Sequence, residues 1–420
     1  MSKRKEDSYM KVLVLGGGFD QIALIKELRS RGNIVYLVDF LENPPARRYA
    51  DCHWQISTLD ENAVYELAKK ERVELIATAC TDQALMTVAS ISEKMGLPCY
   101  ISAQTARNVT NKAFMKKKFI ESGIPTAKCS VLKNLKDLDK FKVQELSFPL
   151  VVKPCDCNSS KGVVKVESYA ELELAVIHAF ELSRGRSVIV EEFKAGEEIS
   201  IDVWKDAEDT KILSVTKTRK LKENRDNFTI YQSQYPIELS QTLVKKIHDL
   251  ASEICKAFEL ENCPLLIQGI LHGDNISVVE FSARMGGGSK YKLIEYMANV
   301  DIMKIYVNRI LGDEEQIVRP IWSNSKIELN YVYGYNGIFK KLIGFDEYLR
   351  SSKIKELFQY KESGAEIKHR ATSSDRIAGF LLEESDEYKL EKLRKEIVDN
   401  VDVLNENGIS MMYKKCFYEA

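Results

Sequence analysis

The sequence predicts an α/β and α+β protein in which a doubly wound parallel sheet is followed by α+β regions. Three observations support this prediction. At 420 residues, the chain exceeds what one hydrophobic core usually organises, which favours several domains. Its N-terminal part alternates strand-like and helix-like segments joined by short glycine-containing turns, as doubly wound sheets do. Further along, predicted strands flank loops more often than they alternate with helices, which is typical of α+β architecture.

The predicted N-terminal domain covers residues 10–105. Its strands are "KVLVLGG", "NIVYLVDF" and "ELIATA", and its helices are "QIALIKELRSRG" and "ENAVYELAKKERV". Glycines at 16–18 follow the first strand, and Asp39 ends the second, where a dinucleotide-binding protein places its ribose-binding acid. The fingerprint G-x-G-x-x-G would require glycine at position 21, which is Gln21. A nicotinamide-dependent oxidoreductase is therefore one alternative, and an ordinary glycine turn is the other.

The second predicted region, 106–190, opens with one helix over "TARNVTNKAFMKKKFIESGIPTAK", which ends at Gly123 with Pro125 just beyond. The strand "FPLVVKP", the loop "CDCNSSKG", the strand "VVKVES", the helix "YAELELAVIHAFELSRG" and the strand "SVIVEEF" follow. The third region, 191–310, contains a predicted hairpin of "LLIQGIL" and "ISVVEFSA" that turns at "HGDN". The last region, 311–420, is predicted to be an α+β domain that includes the helix "EYKLEKLRKEIVDNVDVL".

Composition excludes several classes of protein. Lys plus Arg, 61, nearly balances Asp plus Glu, 62, so the chain has no overall field that would attract nucleic acid or an anionic membrane. No apolar segment approaches the ~18 residues needed to cross a bilayer, and the charged start does not resemble a signal peptide. The nine cysteines lack framework spacing and the five histidines are isolated, so we expect reduced thiols and no zinc site. These patterns predict a cytoplasmic protein without nucleic-acid or membrane partners.

Basic and small polar residues in the second region suit a polyphosphate. Lys112 stands at a predicted helix start, and Lys153 ends a buried-looking strand. The loop that follows is small and polar and ends in Lys161 and Gly162. Ammonium groups and free backbone N–H groups that converge on one place bind phosphates well.

Acidic and amide side chains follow along the chain. Glu191 and Glu192 end an apolar strand, Glu198 comes soon after, and Gln268 and Glu280 lie on the two strands of the predicted hairpin. Carboxylate oxygens beside a polyphosphate favour Mg²⁺, which prefers one or two carboxylates together with phosphate oxygens. The combined set predicts a site for ATP and Mg²⁺, with one or two ions and Mn²⁺ as a substitute.

The ordered motifs "NKAFMKKKFIESGIPTA", "FPLVVKP", "SSKGVVKV", "VEEFKAGEEISID" and "VEFSARMGGG" resemble the ATP-grasp superfamily of carboxylate–amine ligases. The resemblance extends from Lys11 to Lys304, and it includes amino-acid ligases and the carbamoyl-phosphate synthase-like and biotin carboxylase-like members. It implies a pre-ATP-grasp domain at 10–105, a lobe with a phosphate lid at 106–190, and a lobe with the metal and catalytic site at 191–310. A C-terminal α+β domain would follow.

The resemblance also implies roles for individual residues. Lys112 and Lys153 match the lysines that hold ATP phosphates, and Glu198 matches the acid that binds ribose. The lid and the adenine-binding hinge would be formed by Ser159, Ser160, Lys161 and Gly162, and by Glu191, Glu192, Phe193 and Lys194. The lid has a single glycine where the family usually has several. Lys161 or the serine hydroxyls are therefore expected to replace some of its backbone contacts.

The metal and substrate positions fall in the hairpin and directly after it. Gln268 and Glu280 match the metal ligands, and Ser282 stands where the family pattern Glu-x-Asn has its amide, which leaves the number of ions open. Arg284 matches the arginine beside the transferred phosphoryl group and the substrate carboxylate, for which a bidentate guanidinium is suited. Gly286, Gly287 and Gly288 would leave room for the acceptor carboxylate or the acyl phosphate.

The implied reaction is carboxylate activation as an acyl phosphate, followed by attack of an amine, with release of ADP and phosphate. Arg284 and Lys153 would be the catalytic residues, since positioning and charge neutralisation dominate phosphoryl transfer. Small-molecule carboxylate and amine substrates and a homodimer are expected. The alternatives are a bicarbonate-activating carboxylase or carbamoyl-phosphate synthase-like enzyme, and a non-catalytic ATP-binding protein. The sequence does not identify the two substrates.

Overall fold

The computed structural model describes residues 9–141, 146–157, 161–221, 228–313, 319–368 and 372–418. In the N-terminal part, a four-stranded parallel sheet has the order β3-β2-β1-β4. Its elements are β1 (Lys11–Leu15), α1 (Phe19–Ser30), β2 (Ile34–Asp39), β3 (Cys52–Gln55), α2 (Glu61–Glu71), β4 (Leu75–Ala77) and α3 (Asp82–Met95). The predicted parallel sheet is confirmed, and its strands β1, β2 and β4 carry buried aliphatic side chains that pack with residues of the helices.

The next segment differs from its prediction. The single helix expected over "TARNVTNKAFMKKKFIESGIPTAK" is two helices, α4 (Ala103–Thr110) and α5 (Lys112–Glu121). Asn111 separates them with extended dihedral angles, and its side chain accepts a hydrogen bond from the Phe114 N–H at 3.0 Å. Asparagine competes with the helix for backbone partners and is a strong N-cap residue. The break makes Lys112 the first residue of α5.

A four-stranded antiparallel sheet follows, with the order β5-β8-β6-β7. Its elements are β5 (Cys129–Leu132), α6 (Asp137–Phe141), β6 (Leu150–Pro154), β7 (Val164–Val166), α7 (Tyr169–Leu182) and β8 (Val188–Glu192). Apolar residues of α7, including Leu172 and Val176, pack on Leu150, Val152 and Val190 of the sheet. Lys153 on β6 and Glu191 on β8 are thereby held on neighbouring strands.

The third part of the chain supplies five more strands and three helices. They are β9 (Glu197–Lys205), β10 (Thr210–Lys220), β11 (Ile230–Tyr235), α8 (Gln241–Ala257), β12 (Cys263–His272), β13 (Asn275–Ser282), α9 (Lys290–Ala298) and α10 (Ile302–Leu311). The hairpin of β12 and β13 is confirmed, with Gln268 directly opposite Glu280. Phe119 of α5 and Phe281 of β13 both pack on Phe258, with ring centroids 5.9 and 4.7 Å away, so the hairpin is fixed against α5.

The C-terminal elements are β14 (Lys326–Val332), β15 (Gly337–Ile343), α11 (Phe345–Arg350), β16 (Glu356–Gln359), β17 (Glu366–Ile367), β18 (Ala378–Glu384), α12 (Glu387–Asn400) and β19 (Asp402–Asn405). The helix predicted to run through "DVL" ends at Asn400, and those residues lie in β19, which pairs with β15. Val403 is fully buried, which favours a strand over a continued surface helix. No helix among the described residues has the length and apolarity to cross a membrane.

One antiparallel sheet connects the third and last parts of the chain. Its strand order is β13-β12-β9-β10-β11-β14-β18-β16, so β14, β16 and β18 complete a sheet that begins well before residue 310. A buried ion pair joins this sheet to α12, because Arg394 Nη1 lies 2.6 Å from Glu328 Oε1. The division into four domains at 105, 190 and 310 stays a prediction, and the last two regions share this sheet.

Candidate active site

A cleft of about 1870 Å³ lies between the four-stranded antiparallel sheet, the eight-stranded sheet and the N-terminal part of the chain. The sequence-predicted residues that line it are Lys112, Lys153, Lys161, Gly162, Glu191, Glu192, Phe193, Lys194, Glu198, Gln268, Glu280, Ser282, Arg284 and Gly287. Gly286 and Gly288 are in the adjoining turn. Ser159 and Ser160 are outside the described residues.

A buried group of two lysines and one glutamate lies at one wall of the cleft. Lys153 Nζ is 3.0 Å from Glu191 Oε1, and Lys116 Nζ is 3.3 Å from the same oxygen. Burial alone would raise the pKa of Glu191, but the two ammonium groups lower it below the usual value. Lys116 was missed in the sequence because the run "KKK" resembles a solvated helix face. Since two cations share one carboxylate, this wall keeps one excess positive charge.

Lys112 lies beside the predicted metal position. Its Nζ is 3.3 Å from Glu280 Oε2 and donates a hydrogen bond to the Cys157 carbonyl at 2.7 Å. Burial would raise the pKa of Glu280, but Lys112 and Lys153 lower it, so this carboxylate is ionised at neutral pH. Gln268 adds an amide oxygen from the opposite strand. The donors suit Mg²⁺, which takes oxygen ligands from few side chains and the rest from phosphate or water.

The described residues contain no group of three or more His, Cys, Asp or Glu side chains arranged to hold a metal ion. Ser282, the third predicted ligand, hydrogen bonds with Asp82, whose pKa this bond helps to lower. A metal ion at this place would therefore depend on Glu280, Gln268 and the phosphate oxygens of its nucleotide.

Arg284 is held by an acid that the sequence did not single out. Its Nε donates to Asp82 Oδ1 at 2.8 Å, and its Nη2 pairs with Asp82 Oδ2. Burial would lower the pKa of Arg284, but Asp82 raises it. Asp82 begins α3, which follows β4 after a short loop. An acid at a helix start beyond a parallel strand was the available signal. The pair fixes the plane of the guanidinium at the cleft wall.

The glycine turn Gly286–Gly288 has contacts within the protein, and its predicted role in leaving room for the acyl phosphate stays a prediction. The N–H groups of Gly288 and Ser289 both donate to Asp20, each at 2.8 Å, so they are already satisfied by a carboxylate of α1. A Cβ on Gly286 would lie 2.7 Å from the Lys290 side chain, so Gly286 permits close packing. Of the three, Gly287 lines the cleft.

The hinge residues Glu191–Lys194 have mostly paired backbones. The N–H of Glu192 donates to the Lys128 carbonyl at 3.0 Å, and that of Phe193 donates to the Pro149 carbonyl at 2.9 Å. The Lys194 N–H makes no hydrogen bond within the described part of the chain. Glu198, the predicted ribose-binding acid, forms an ion pair with Lys220. An adenine donor at the hinge would therefore come from Lys194.

The N-terminal glycine turn satisfies its polar groups internally. The Gly17 N–H donates to Asp39 Oδ2 at 2.6 Å, and the Ala79 N–H donates to Gln21 Oε1 at 3.0 Å. A Cβ at Gly17 would lie 2.5 Å from Pro44, so glycine is required there by packing. These contacts favour a structural turn over a dinucleotide site.

Comparisons with known proteins agree with this architecture. The family model "D-ala D-ala ligase C-terminus" matches residues 119–266. Phosphoribosylamine–glycine ligase of Streptomyces coelicolor is 32% identical over 205 residues, which are 49% of this chain and 47% of that protein. Formate-dependent phosphoribosylglycinamide formyltransferase of Sulfurisphaera tokodaii is 25% identical over 323 residues, which are 74% of this chain and 79% of that protein. The chain thus spans about half the length of the first relative and more of the second.

A solved structure shows the same fold across nearly the whole chain. The biotin carboxylase domain of Hydrogenobacter thermophilus 2-oxoglutarate carboxylase, in complex with MgADP, ADP and bicarbonate, superposes with a TM-score of 0.78 at 16% identity. The match covers 97% of this chain and 93% of that one. The chain therefore shares the fold of that domain. The resemblance to the ATP-grasp superfamily found in the sequence is confirmed.

Proposed function

We propose that this chain activates a carboxylate as an acyl phosphate with ATP and joins it to an amine, releasing ADP and phosphate. One observation carries the proposal. Lys112, Lys153, Glu280 and Arg284, which are far apart in the sequence, line one cleft. The curated relatives are a phosphoribosylamine–glycine ligase and a formate-dependent formyltransferase, and both names support a reaction that joins a carboxylic acid to an amine.

In this proposal, the buried cations bind the triphosphate. Lys153 shares Glu191 with Lys116 and so retains positive charge for a phosphate oxygen. Lys112 would exchange its contact with Glu280 for a phosphate oxygen, which frees Glu280 and Gln268 to hold Mg²⁺. The ion would supply charge neutralisation at the transferred phosphoryl group. Lys194 and Glu198 would bind adenine and ribose, and Lys161 and Gly162 would close on the phosphates.

The chemical steps need orientation more than a protein nucleophile. A carboxylate oxygen of the substrate bonds to the γ-phosphorus while the bond to the ADP oxygen breaks. Arg284, fixed by Asp82, would bind the carboxylate and stabilise the negative charge that the transferred group carries. The amine nitrogen then attacks the acyl carbon, phosphate leaves, and the amine gives up a proton. Gly287 would leave space for the acyl phosphate.

Three finer points belong to the same proposal. Mn²⁺ would replace Mg²⁺, since both ions accept oxygen ligands. The enzyme would act in the cytoplasm and as a homodimer. Sedimentation equilibrium of the full chain tests the dimer, and a monomer at micromolar concentration would contradict it.

A matrix of carboxylates and amines, assayed for phosphate release and product mass, tests the reaction. Turnover should require one member of each class, ATP and Mg²⁺. Glu280→Gln should reduce Mg²⁺-dependent turnover at least ~100-fold, because an amide neither carries the charge nor binds Mg²⁺ as well. Glu173→Gln, at an exposed position on α7, serves as the control. Full activity of Glu280→Gln would contradict the metal assignment.

Bicarbonate is the second candidate for the activated carboxylate. The structural match to a biotin carboxylase domain that holds bicarbonate favours it. ADP release that depends on bicarbonate and not on any organic carboxylate would select this alternative. Binding of ATP without turnover in the whole matrix would instead indicate a non-catalytic ATP-binding protein.

A further inference from the structure

A further buried ion pair lies at the floor of the cleft. Lys290, the first residue of α9, is 6% exposed and lines the cleft. Its Nζ is 3.1 Å from Oδ2 of Asp202, a buried residue of β9. A Cβ on Gly286 would lie 2.9 Å from Asp202 Oδ1, so the glycine turn leaves room for this pair. Burial of two charges costs free energy that their attraction only partly returns, and stability alone is therefore a weak reason for such a pair.

Lys290 also contacts two hydroxyl groups of the eight-stranded sheet. Its Nζ donates to Ser200 Oγ at 2.6 Å and to Thr216 Oγ1 at 3.3 Å. An ammonium group has three N–H donors, and Asp202, Ser200 and Thr216 use all of them. Lys290 therefore has no donor left for a ligand. Its effect on a ligand must pass through a residue that it holds.

Ser200 is the residue of this group that can contact a ligand. It is 2% exposed and lines the cleft. Its Oγ accepts the hydrogen bond from Lys290, and the ammonium group repels the hydroxyl proton, so the O–H is directed away from Lys290. Within the part of the chain that the structure describes, this O–H donates no hydrogen bond. Thr216 differs, because its hydroxyl donates to the Ser200 carbonyl at 3.4 Å.

Ser200 continues the row of side chains at which the metal ion is predicted. On the eight-stranded sheet, Ser200 is directly opposite Gln268, which is directly opposite Glu280. Residues directly opposite each other project from the same face of a sheet, on strands about 4.8 Å apart. In phosphoryl transfer, the ion bridges oxygens of the β- and γ-phosphates. A phosphate held at Gln268 and Glu280 would therefore lie within reach of the Ser200 hydroxyl.

We propose that Ser200 donates a hydrogen bond to an oxygen of the β- or γ-phosphate of the nucleotide, and that Lys290 is the positioning residue of this hydroxyl. The inference rests on the proposed function and adds two residues to its phosphate site. Lys112 and Lys153 reach the cleft from α5 and β6, whereas Ser200 reaches it from β9. The phosphates would thus be held by cations on one side and by a neutral donor on the eight-stranded sheet.

Binding of adenosine, AMP, ADP and AMP-PNP to the full chain, each with Mg²⁺, tests the proposal by calorimetric titration. Ser200→Ala should weaken binding of AMP-PNP roughly 10- to 100-fold, as expected for a hydrogen bond to a charged acceptor. Binding of adenosine and of AMP should change less than about twofold. A loss already present with ADP identifies the β-phosphate, and a loss confined to AMP-PNP identifies the γ-phosphate. Unchanged affinity for AMP-PNP, or an equal loss for adenosine, would overturn the proposal.

Matched variants separate the hydroxyl from the shape of the side chain. Ser200→Thr keeps the hydroxyl and should keep most of the affinity for AMP-PNP. Ser92→Ala is the control, because Ser92 is fully buried in α3 and does not line the cleft. The expected loss in a chain without turnover in the substrate matrix would support the role of Ser200 and refute the ligase reaction. Absence of AMP-PNP binding to the unmodified chain would refute the nucleotide site itself.

A double-mutant cycle tests the role of Lys290. Lys290→Met, combined with Asp202→Asn so that no unpaired carboxylate remains buried, should weaken binding of AMP-PNP at least ~5-fold. In the Ser200→Ala background, the same change should add less than about twofold, because its effect passes through Ser200. Lys292→Met is the control on the same helix, since Lys292 pairs with Glu295 and does not line the cleft. Equal losses with and without the Ser200 hydroxyl would overturn the positioning role.

Discussion

At the scale of single residues, the cleft contains several cationic side chains, and these differ in how they pair with carboxylates. Lys116 is 2% exposed and contacts Glu191, the Thr126 hydroxyl and the Val278 carbonyl. It is thus linked to β13, two residues before Glu280. Burial lowers the pKa of Lys116, while Glu191 opposes that effect. Lys116 acts as a positioning residue, because it shares the negative charge of Glu191 with Lys153 and so leaves Lys153 available to a phosphate oxygen.

Replacement of Lys116 by methionine should therefore weaken binding of phosphates and spare binding of adenosine. Glu191 would then neutralise Lys153 alone, and we expect ATP affinity to fall roughly tenfold, the effect of about one lost charged contact. Calorimetric titration with ATP and with adenosine measures both. Lys117→Met is the control, because that neighbouring side chain is 74% exposed. Equal losses for ATP and adenosine would indicate a structural defect.

The ion pairs of Glu191 should also be visible in the pH dependence of stability. The folded state lowers the pKa of Glu191 below its usual value of 4.5. A carboxylate whose pKa is lowered by folding stabilises the folded state at pH values above its usual pKa. That stabilisation is lost as the pH falls through the pKa that the group has in the folded state. The difference in free energy of unfolding between the natural chain and Glu191→Gln should be constant near neutral pH and shrink below about 4.5. Urea unfolding at several pH values measures it, and a pH-independent difference would contradict the expectation.

At the scale of elements, the two glycine turns of the sequence meet through one side chain. Asp20, in the first turn of α1, accepts two N–H groups at the start of α9, where Ser289 has φ of 61° and no side-chain cap. Burial raises the pKa of Asp20, and the two N–H groups oppose that rise. A carboxylate at a helix N-terminus is favourable. The N-terminal sheet thereby fixes the turn that contains Gly287.

Asp20→Ala should loosen this turn. We expect kcat to fall at least ~10-fold, because misplacement of groups near the reacting atoms is costly, while ATP affinity changes little. Stability should fall by about 1–2 kcal/mol, as for other caps. Asp60→Ala is the matched control, since Asp60 caps α2 through the Ala63 N–H at 3.0 Å. Comparable loss of kcat in both variants would contradict a specific role for the turn.

At the scale of the whole molecule, the cleft lies where separately built sheets meet. Lys153 and Glu191 belong to the four-stranded antiparallel sheet, and Gln268 and Glu280 belong to the eight-stranded one. A nucleotide that contacts both would hold them together. Binding energy of this kind appears directly as stability of the folded state.

The melting temperature should therefore rise with Mg²⁺ and AMP-PNP. A ligand at 100 times its Kd adds about 2.7 kcal/mol. Lys153→Met should lose most of this gain. Lys211→Met should keep the gain in melting temperature, because Lys211 lies outside the cleft. Its Nζ is 2.6 Å from Asp209 Oδ2. Scanning calorimetry measures the shift, and equal stabilisation of both variants would contradict the location of the nucleotide.

Much of the architecture could be predicted because local patterns determine it. Alternation of apolar residues predicted the parallel sheet and the hairpin, which put Gln268 and Glu280 on neighbouring strands. A bulge between Gln268 and Gly269 then sets the two residues directly opposite each other. The errors were local as well. Apolar spacing continued across Asn111, whose capping side chain ended one helix and began another.

By itself, the sequence determined the elements, the ordered motifs and the resemblance to the ATP-grasp superfamily, because helix and strand periodicity and short motifs are properties of local stretches of chain. The tertiary structure alone decided the partners of the buried charges. Asp82 is 202 positions from Arg284, and Asp20 is 268 positions from Gly288. Arg376 was likewise brought to the cleft by the strand order of the large sheet. A buried charge is satisfied by whichever group the fold places within a few ångströms, and no local pattern encodes that group.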